Sequence, residues 1–254
     1  MTEASTKAQQ KYGDWLAEYQ RLSTISWLDE DRFRIENIRN FRYLDVNSYL
    51  PDWYAADYRL SDVVATDLVM SYWSGKAIAH VFLSFGLRDG RWLAISIETR
   101  RRQGQPYSAF AGFLRKYPVI YIVADERDLI GVRTDIRRED VYLYPLNISV
   151  EQSQSLLRDY LRRIKKVNEH PEHYHTLCNN CTTNILRHGK AVSPAVKYNW
   201  KILLSGYADL YCYQHGLINA VIPFRQLKRQ CYLSRPAGAV IEDDFSRSIR
   251  KHRP

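Results

Sequence analysis

With 254 residues, 45% of them apolar, the chain has enough hydrophobic material for a packed core, which excludes general disorder. Lys and Arg total 37 against 28 Asp and Glu, a formal charge of +9, and no run approaches the roughly 18 apolar residues of a membrane-spanning helix. The opening MTEASTKAQQKYGDW lacks the basic-then-apolar order of a secretory signal, so a soluble chain without an address is expected. Four cysteines, at 178, 181, 212 and 231, are too few for a disulfide framework and leave the compartment open.

Residues 1–75 read as helix and loop, with an amphipathic run around Trp15, Leu16, Tyr19 and Leu22 ahead of the aromatic-rich FRYLDVNSYLPDWYAADYRL. From 78 to about 145 the pattern changes to short β-branched and aromatic runs: IAHVFLSFGL, RWLAISIET, VIYIVAD, IGVRTD and DVYLYPL. These predict a meandering, mainly antiparallel sheet. Helical periodicity returns over 150–168, where Leu157, Tyr160, Leu161 and Ile164 recur at helical spacing and put the basic residues of LRDYLRRIKK on a solvated face. That run and the tail SRSIRKHRP could also meet phosphate arrays. No zinc-finger spacing, phosphate loop or RNA-recognition motif accompanies them, so nucleic acid is an unfavoured partner and an anionic membrane surface the better one.

Pro171 breaks NEHPEHYH, and CTTNILRHGK supplies a short helix stopped near Gly189. Helix, sheet and helix in sequential blocks predict an α+β fold in one domain over 1–254. Its parts are a helical N-terminal extension (1–75), a core (76–190) and a helical C-terminal extension (191–254).

The stretch HTLCNNCTTNILRH, residues 175–188, carries the chemistry and admits several readings. His173, His175, Cys178 and Cys181 could hold zinc, although this spacing is not a familiar one. Cys178 and Cys181 could form a redox pair, but a proline-broken loop precedes them instead of a βαβ setting. Cys181 could instead be a nucleophile. Asn180 is a good N-cap, so Cys181, Thr182 and Thr183 fill a first helical turn whose N–H groups favour thiolate and offer an oxyanion donor. Asn180, Thr182 and Ser84 are the candidate supports, Cys178 is a bystander, and a buried structural cysteine remains an alternative.

A nucleophilic cysteine needs a base, and His80 is the candidate because it opens a strand that returns through Arg88, Asp89 and Gly90 into a second strand carrying Glu98. If Leu87 pairs with Arg91 across a three-residue loop, His80 lies opposite Glu98 on one face, where the carboxylate would fix the imidazole tautomer. A two-residue turn would send Glu98 to the other face. Glu98 could then pair with Arg100 or Arg101, leaving Asn179 or Asn180 to orient the ring. Arg100, Arg101 and Arg102 could grip a phosphate or carboxylate, or be surface charge. Arg127 and Arg133 are read equally well as internal ion-pair partners of Glu126 or Asp128 or as site residues, and neither is assigned a catalytic role.

The runs AHVFLSFGLRDGRWLAISIETRRRQGQPYSAFAGFLRKY, YIVADERDLIGVRTDIRREDVYLYPL, NNCTTNILRH and LLSGYADLYCYQHGLI resemble the N-terminal periplasmic domain of the Lnb lipoprotein N-acyltransferases. The resemblance extends from about residue 30 to the C-terminus. It implies a permuted papain-like (NlpC-type) core, an antiparallel sheet packed on a cysteine-bearing helix, with the histidine strand ahead of the cysteine helix as His80 is ahead of Cys181. It carries the catalytic roles onto Cys181, His80 and Glu98, and implies no cofactor and no metal. It further implies acyl transfer from a phospholipid to a lipoprotein N-terminal amine through a cysteine thioester, hence lipid or lipoprotein partners and a periplasmic or inner-membrane-associated setting. A hydrolase or a different acceptor stays open for members with this domain alone. This chain lacks the hydrophobic N-terminal segments of its relatives and has Cys178 where they carry polar residues, so a regulatory disulfide with Cys181 is conceivable. The competing functions are a cysteine peptidase or amidase acting on cell-wall peptides and a non-enzymatic zinc-binding module.

Overall fold

Runs of β-branched and aromatic residues, alternating with polar ones in β2 and buried almost throughout in β7 to β9, build ten strands: β1 (Thr24–Trp27), β2 (Arg32–Arg39), β3 (Arg42–Tyr43), β4 (Tyr49–Leu50), β5 (Trp53–Arg59), β6 (Val63–Ser74), β7 (Ile78–Leu87), β8 (Trp92–Thr99), β9 (Val119–Asp125) and β10 (Asp140–Pro145). The computed structural model describes residues 14–46, 48–104, 117–175, 180–192, 204–236, 239 and 241–251. One mixed sheet runs in the order β1-β2-β9-β8-β7-β6-β10, β5 pairs with the other side of β2, and β3 with β4 forms a separate hairpin. Its pairs are antiparallel except β2 with β9, which run parallel where Arg39 meets Ala124.

The described part of residues 1–75 is therefore not a helical extension. The described part of that segment supplies β1 to β6, and the run around Trp15 to Leu22 gives only the single 3-10 turn Ala17–Tyr19. In β2, Phe33 and Ile35 are fully buried between the more exposed Arg32, Arg34 and Glu36, a strand period rather than a helical one.

Both faces of the sheet are covered. Helix α1 (Val150–Glu169) lays Leu157, Tyr160, Leu161 and Ile164 on the face formed by Val81, Leu83, Phe85, Ile95 and Val123. Each such side chain contributes about 1.5–3 kcal/mol on burial. Ser149 and Gln152 close a capping box at the helix start, at 3.2 and 2.9 Å, and Arg162, Lys165 and Lys166 face solvent as expected. Leu129, Ile130 and Phe245 cover Val69, Phe82, Ala94 and Ile122 on the other face.

The predicted strand over 130–135 is instead a π-helix, Val132–Ile136. Its polar side chains find partners that outweigh strand propensity: within the turn Arg133 donates to the Leu129 carbonyl and Thr134 to the Ile130 carbonyl, and across the fold Asp135 accepts from Arg235. Helix α2 (Cys181–Val192) passes through Gly189 without stopping, since that glycine does not adopt the left-handed conformation that ends helices. The basic tail is not wholly solvated either. Arg250 pairs with Asp67 at 2.8 Å and with Glu126 at 2.7 Å and lies 3.3 Å over the Trp92 ring. Among the described residues no helix is long and apolar enough to cross a membrane.

Candidate active site

The β7–β8 connection is the three-residue loop predicted. Leu87 donates to the Arg91 carbonyl at 2.9 Å, and Gly90, at φ 87°, takes a conformation that side chains disfavour. The register follows, with Leu83 opposite Ile95 and Phe85 opposite Leu93. Extended toward the open end of the strands, it brings His80 and Glu98 together, and His80 Nε2 lies 3.1 Å from Glu98 Oε1.

Two further side chains complete this cluster, and sequence reasoning assigned neither. Ser96 Oγ lies 2.7 Å from His80 Nε2 and donates to Glu98 Oε1 at 2.7 Å. Arg133 reaches the same oxygen at 3.4 Å from the π-helix and stacks over Phe82, 5.2 Å from its centroid. Ser96 was detectable, because a residue two before Glu98 in a strand shares its face. Arg133 was not, since its approach depends on a non-local turn; its partner is Glu98, not Glu126 or Asp128. With Nε2 held by two oxygens, Nδ1 is the ring nitrogen left to meet the cysteine.

Cys181 begins α2 and lines the same cavity as His80, close enough for each to shift the other's titration. Asn180 caps the helix as expected: its Oδ1 accepts from the Thr183 N–H at 2.8 Å, and Thr183 Oγ1 accepts from the Asn180 N–H at 2.9 Å. Thr182 Oγ1 lies 3.7 Å from the sulfur. Burial disfavours the thiolate, but His80, the Thr182 hydroxyl and the Val81 N–H outweigh it and hold the Cys181 pKa below its ordinary value. Burial likewise opposes the imidazolium, but the Glu98 carboxylate and Cys181 prevail and raise His80 to about 9. Glu98 is held well below the usual carboxylate range; its burial is offset by His80, Arg133 and Ser96. This arrangement can hold a thiolate beside an imidazolium.

Cys181, His80, Glu98, Asn180, Thr182, Arg101 and Arg133 line a cavity of about 600 Å³ whose other walls include Tyr19, Trp73, Ile78, Ile97, Val132 and Leu204. Ser84 does not belong to it. Its hydroxyl is fully buried and donates to Glu126 at 2.6 Å, in the Arg250 cluster. Arg100 is also displaced from the proposed substrate role, because it donates to the Tyr19 and Gln20 carbonyls at 3.0 and 3.1 Å and stacks 4.3 Å over Trp15. Arg102 lies over the same ring, and Arg127 pairs with Asp243 and Asn40. Arg101 remains at the cavity, bonded to the Tyr19 hydroxyl at 3.3 Å.

Among the described residues no group of three or more His, Cys, Asp or Glu side chains is placed to hold a metal ion. Cys178 and Asn179 lie outside the described residues, and with them the zinc, redox-pair and Cys178–Cys181 disulfide readings; His173 bridges Pro118 in the backbone. Cys181 and Cys212 are free thiols.

No curated protein and no solved structure matches the chain. A family model does: the Lnb N-terminal periplasmic domain matches residues 49–208, more than half of the 254 and a span that holds His80, Ser96, Glu98, Arg133 and Cys181, and the chain belongs to that family.

Proposed function

We propose that the chain is a thiol-dependent acyltransferase or hydrolase with a permuted papain-like core, in which the histidine strand precedes the cysteine helix. The observation that carries this reading is Cys181 at a helix start, sharing one cavity with a His80 whose Nε2 is held by Glu98 and Ser96. His80 Nδ1 takes the thiol proton and the sulfur attacks an ester or amide carbonyl. N–H groups of the first turn of α2, including that of Cys181, stabilise the oxyanion. The imidazolium then protonates the departing alcohol or amine as its bond to carbon breaks, leaving a thioester on Cys181. An amine or water gives its proton to His80 while attacking that thioester, and the thiolate leaves.

The cavity supports an amphiphilic acyl donor. Trp73, Ile78, Ile97, Val132 and Leu204 offer apolar contact, and Arg101 and Arg137 offer cations to an anionic head. A phospholipid donor fits these walls better than a cell-wall peptide, and the family's description supports a periplasmic setting.

Intact-mass measurement after incubation with an activated long-chain acyl ester tests the reading. The wild type is expected to gain one acyl group. Cys181→Ala should lower that acylation by at least about a thousandfold, while Cys178→Ala retains it. Undiminished acylation of Cys181→Ala would sink the proposal.

A further inference from the structure

Two hairpins reach the Cys181 cavity, β6–β7 through Trp73 and Ile78 and β3–β4 through Tyr43, and both carry exposed apolar side chains. On the β6–β7 hairpin, Trp73 and Ile78 are 53% and 45% exposed, flanking a turn with Gly75 at φ 67° and exposed Lys76; Leu204, 42% exposed, lines the same cavity. On the β3–β4 hairpin, Tyr43 lines the cavity while Leu44, Val46 and Leu50 are 65%, 58% and 57% exposed. Behind them Phe41 packs on Tyr49 and Trp53 at 5.2 and 4.8 Å, so the hairpin is a braced projection. Of the other exposed large hydrophobics, Leu28, Val150 and Val221 lie outside both hairpins, and Val64 is at the opposite end of β6 from Trp73. A concentration of apolar side chains around one opening is the pattern of an interaction surface, whereas isolated ones are ordinary.

We propose that this rim docks the chain on an anionic phospholipid bilayer, with Trp73, Ile78, Leu204 and the β3–β4 hairpin entering the interfacial layer. Aromatic and aliphatic side chains at hairpin tips suit that layer, where an indole has both apolar and polar surroundings. Charge selects the bilayer among possible occupants. Exposed Lys76 stands at the β6–β7 turn, and Arg101 and Arg137 line the cavity together with Glu18 and Glu139. Arg42 on the hairpin offsets Asp45, and the chain as a whole carries +9, so cations are in excess. A two-fold dimer through this rim would set those cations against their own copies, whereas anionic headgroups neutralise them. The bilayer then lies at the cavity opening, so an acyl donor reaches Cys181 without crossing water. This goes beyond the acyl-transfer reading and extends it, but the docking itself does not require Cys181 chemistry.

Co-sedimentation of the full chain with phosphatidylglycerol vesicles, and in parallel with phosphatidylcholine vesicles, tests the proposal. The expected result is binding to phosphatidylglycerol that weakens at least about tenfold in Trp73→Ser/Ile78→Ser and in Leu44→Ser/Val46→Ser. Lys76→Gln should weaken it about fivefold, and binding to phosphatidylcholine should be weaker throughout. Val221→Ser, on an exposed apolar residue outside the rim, and Cys181→Ala should both bind as the wild type does. The double variants change exposed positions, and an unchanged Tm separates lost docking from lost folding. Absence of sedimentation, rim variants that bind like the wild type, or equal loss in Val221→Ser would each overturn the proposal. So would a concentration-dependent dimer in vesicle-free sedimentation that the rim variants abolish. A wild type that binds vesicles but whose Cys181 takes no acyl group would remove the enzymatic reading and leave the docking surface standing.

Discussion

His80 and His188 are both half of a histidine–carboxylate pair, yet their surroundings drive them in opposite directions. The shorter bond belongs to His188, whose Nδ1 lies 2.6 Å from Asp159, against 3.1 Å between His80 and Glu98. Nevertheless burial outweighs Asp159 and lowers the pKa of His188, while His80 is raised to about 9. Asp159 is 38% exposed and its field is screened by solvent, whereas Glu98 is 18% exposed and fixed by Ser96 and Arg133. His188 also has no nitrogen to spare: Nε2 meets the Tyr121 hydroxyl at 2.9 Å, and the ring stacks on Tyr160 at 3.8 Å. The length of a histidine–carboxylate bond therefore does not identify a base. An unspent nitrogen, a desolvated partner and a nucleophile within reach do, and only His80 has all three.

The largest separation between the two pairs is expected in acylation. Glu98→Gln removes the charge that sustains the imidazolium and should slow acylation of Cys181 by about a hundredfold to ten-thousandfold. Asp159→Asn should change it less than about threefold, since its histidine faces no substrate. Stopped-flow acylation kinetics on the two variants make the comparison, and equal losses would show that His188 contributes to the chemistry after all.

Stability should sort the pairs the other way. His188 is on α2, seven residues after Cys181, and joins that helix to α1 through Asp159 and Tyr160. His188→Ala opens a cavity, removes the stack and costs the Tyr121 hydroxyl a buried partner, together about 2–4 kcal/mol in urea unfolding. Acylation per folded molecule should persist. A stability loss below about 0.5 kcal/mol would contradict the bracing role.

Legibility followed how locally each feature is determined. The His80–Glu98 pairing could be read because a three-residue loop and strict alternation set one register, and the Asn180 cap because its partner is only three residues away. Strand β2 is also legible, in the alternation of Phe33 and Ile35 with Arg32, Arg34 and Glu36, a period that the helical spacing of Trp15 to Leu22 does not share. Arg133 and the Ser84–Glu126–Arg250 cluster were not legible, because they join segments far apart in the chain and no local periodicity encodes which ion meets which. Misplacing Ser84 had the same origin. It is on the same face of β7 as His80, but four residues along, where the partner is Glu126 instead of the cavity.

The pH dependence of the thiol gives the smallest predicted effect and the sharpest form of the comparison. His80 keeps its proton up to about 9, so what Glu98 contributes to folded stability through the imidazolium is complete below the ordinary histidine value near 6.5. It is lost as pH rises through about 9. The lowered Cys181 pKa has the opposite sign: its contribution is complete above the ordinary thiol value and is lost as pH falls through the lowered one. Between those limits the sulfur is thiolate and the ring imidazolium. An ordinary thiol loses about fiftyfold in iodoacetamide reactivity from pH 8.5 to 6.5, as its thiolate fraction falls. Cys181, followed by mass spectrometry of its peptide, should lose less. Glu98→Gln should restore a steeper fall, because the imidazolium then dissociates nearer 6.5 and ceases to hold the thiolate. Asp159→Asn should leave the wild-type slope. A Cys181 that titrates like an ordinary thiol in the wild type would mean that His80 is not protonated beside it, and the contrast with His188 would no longer rest on charge.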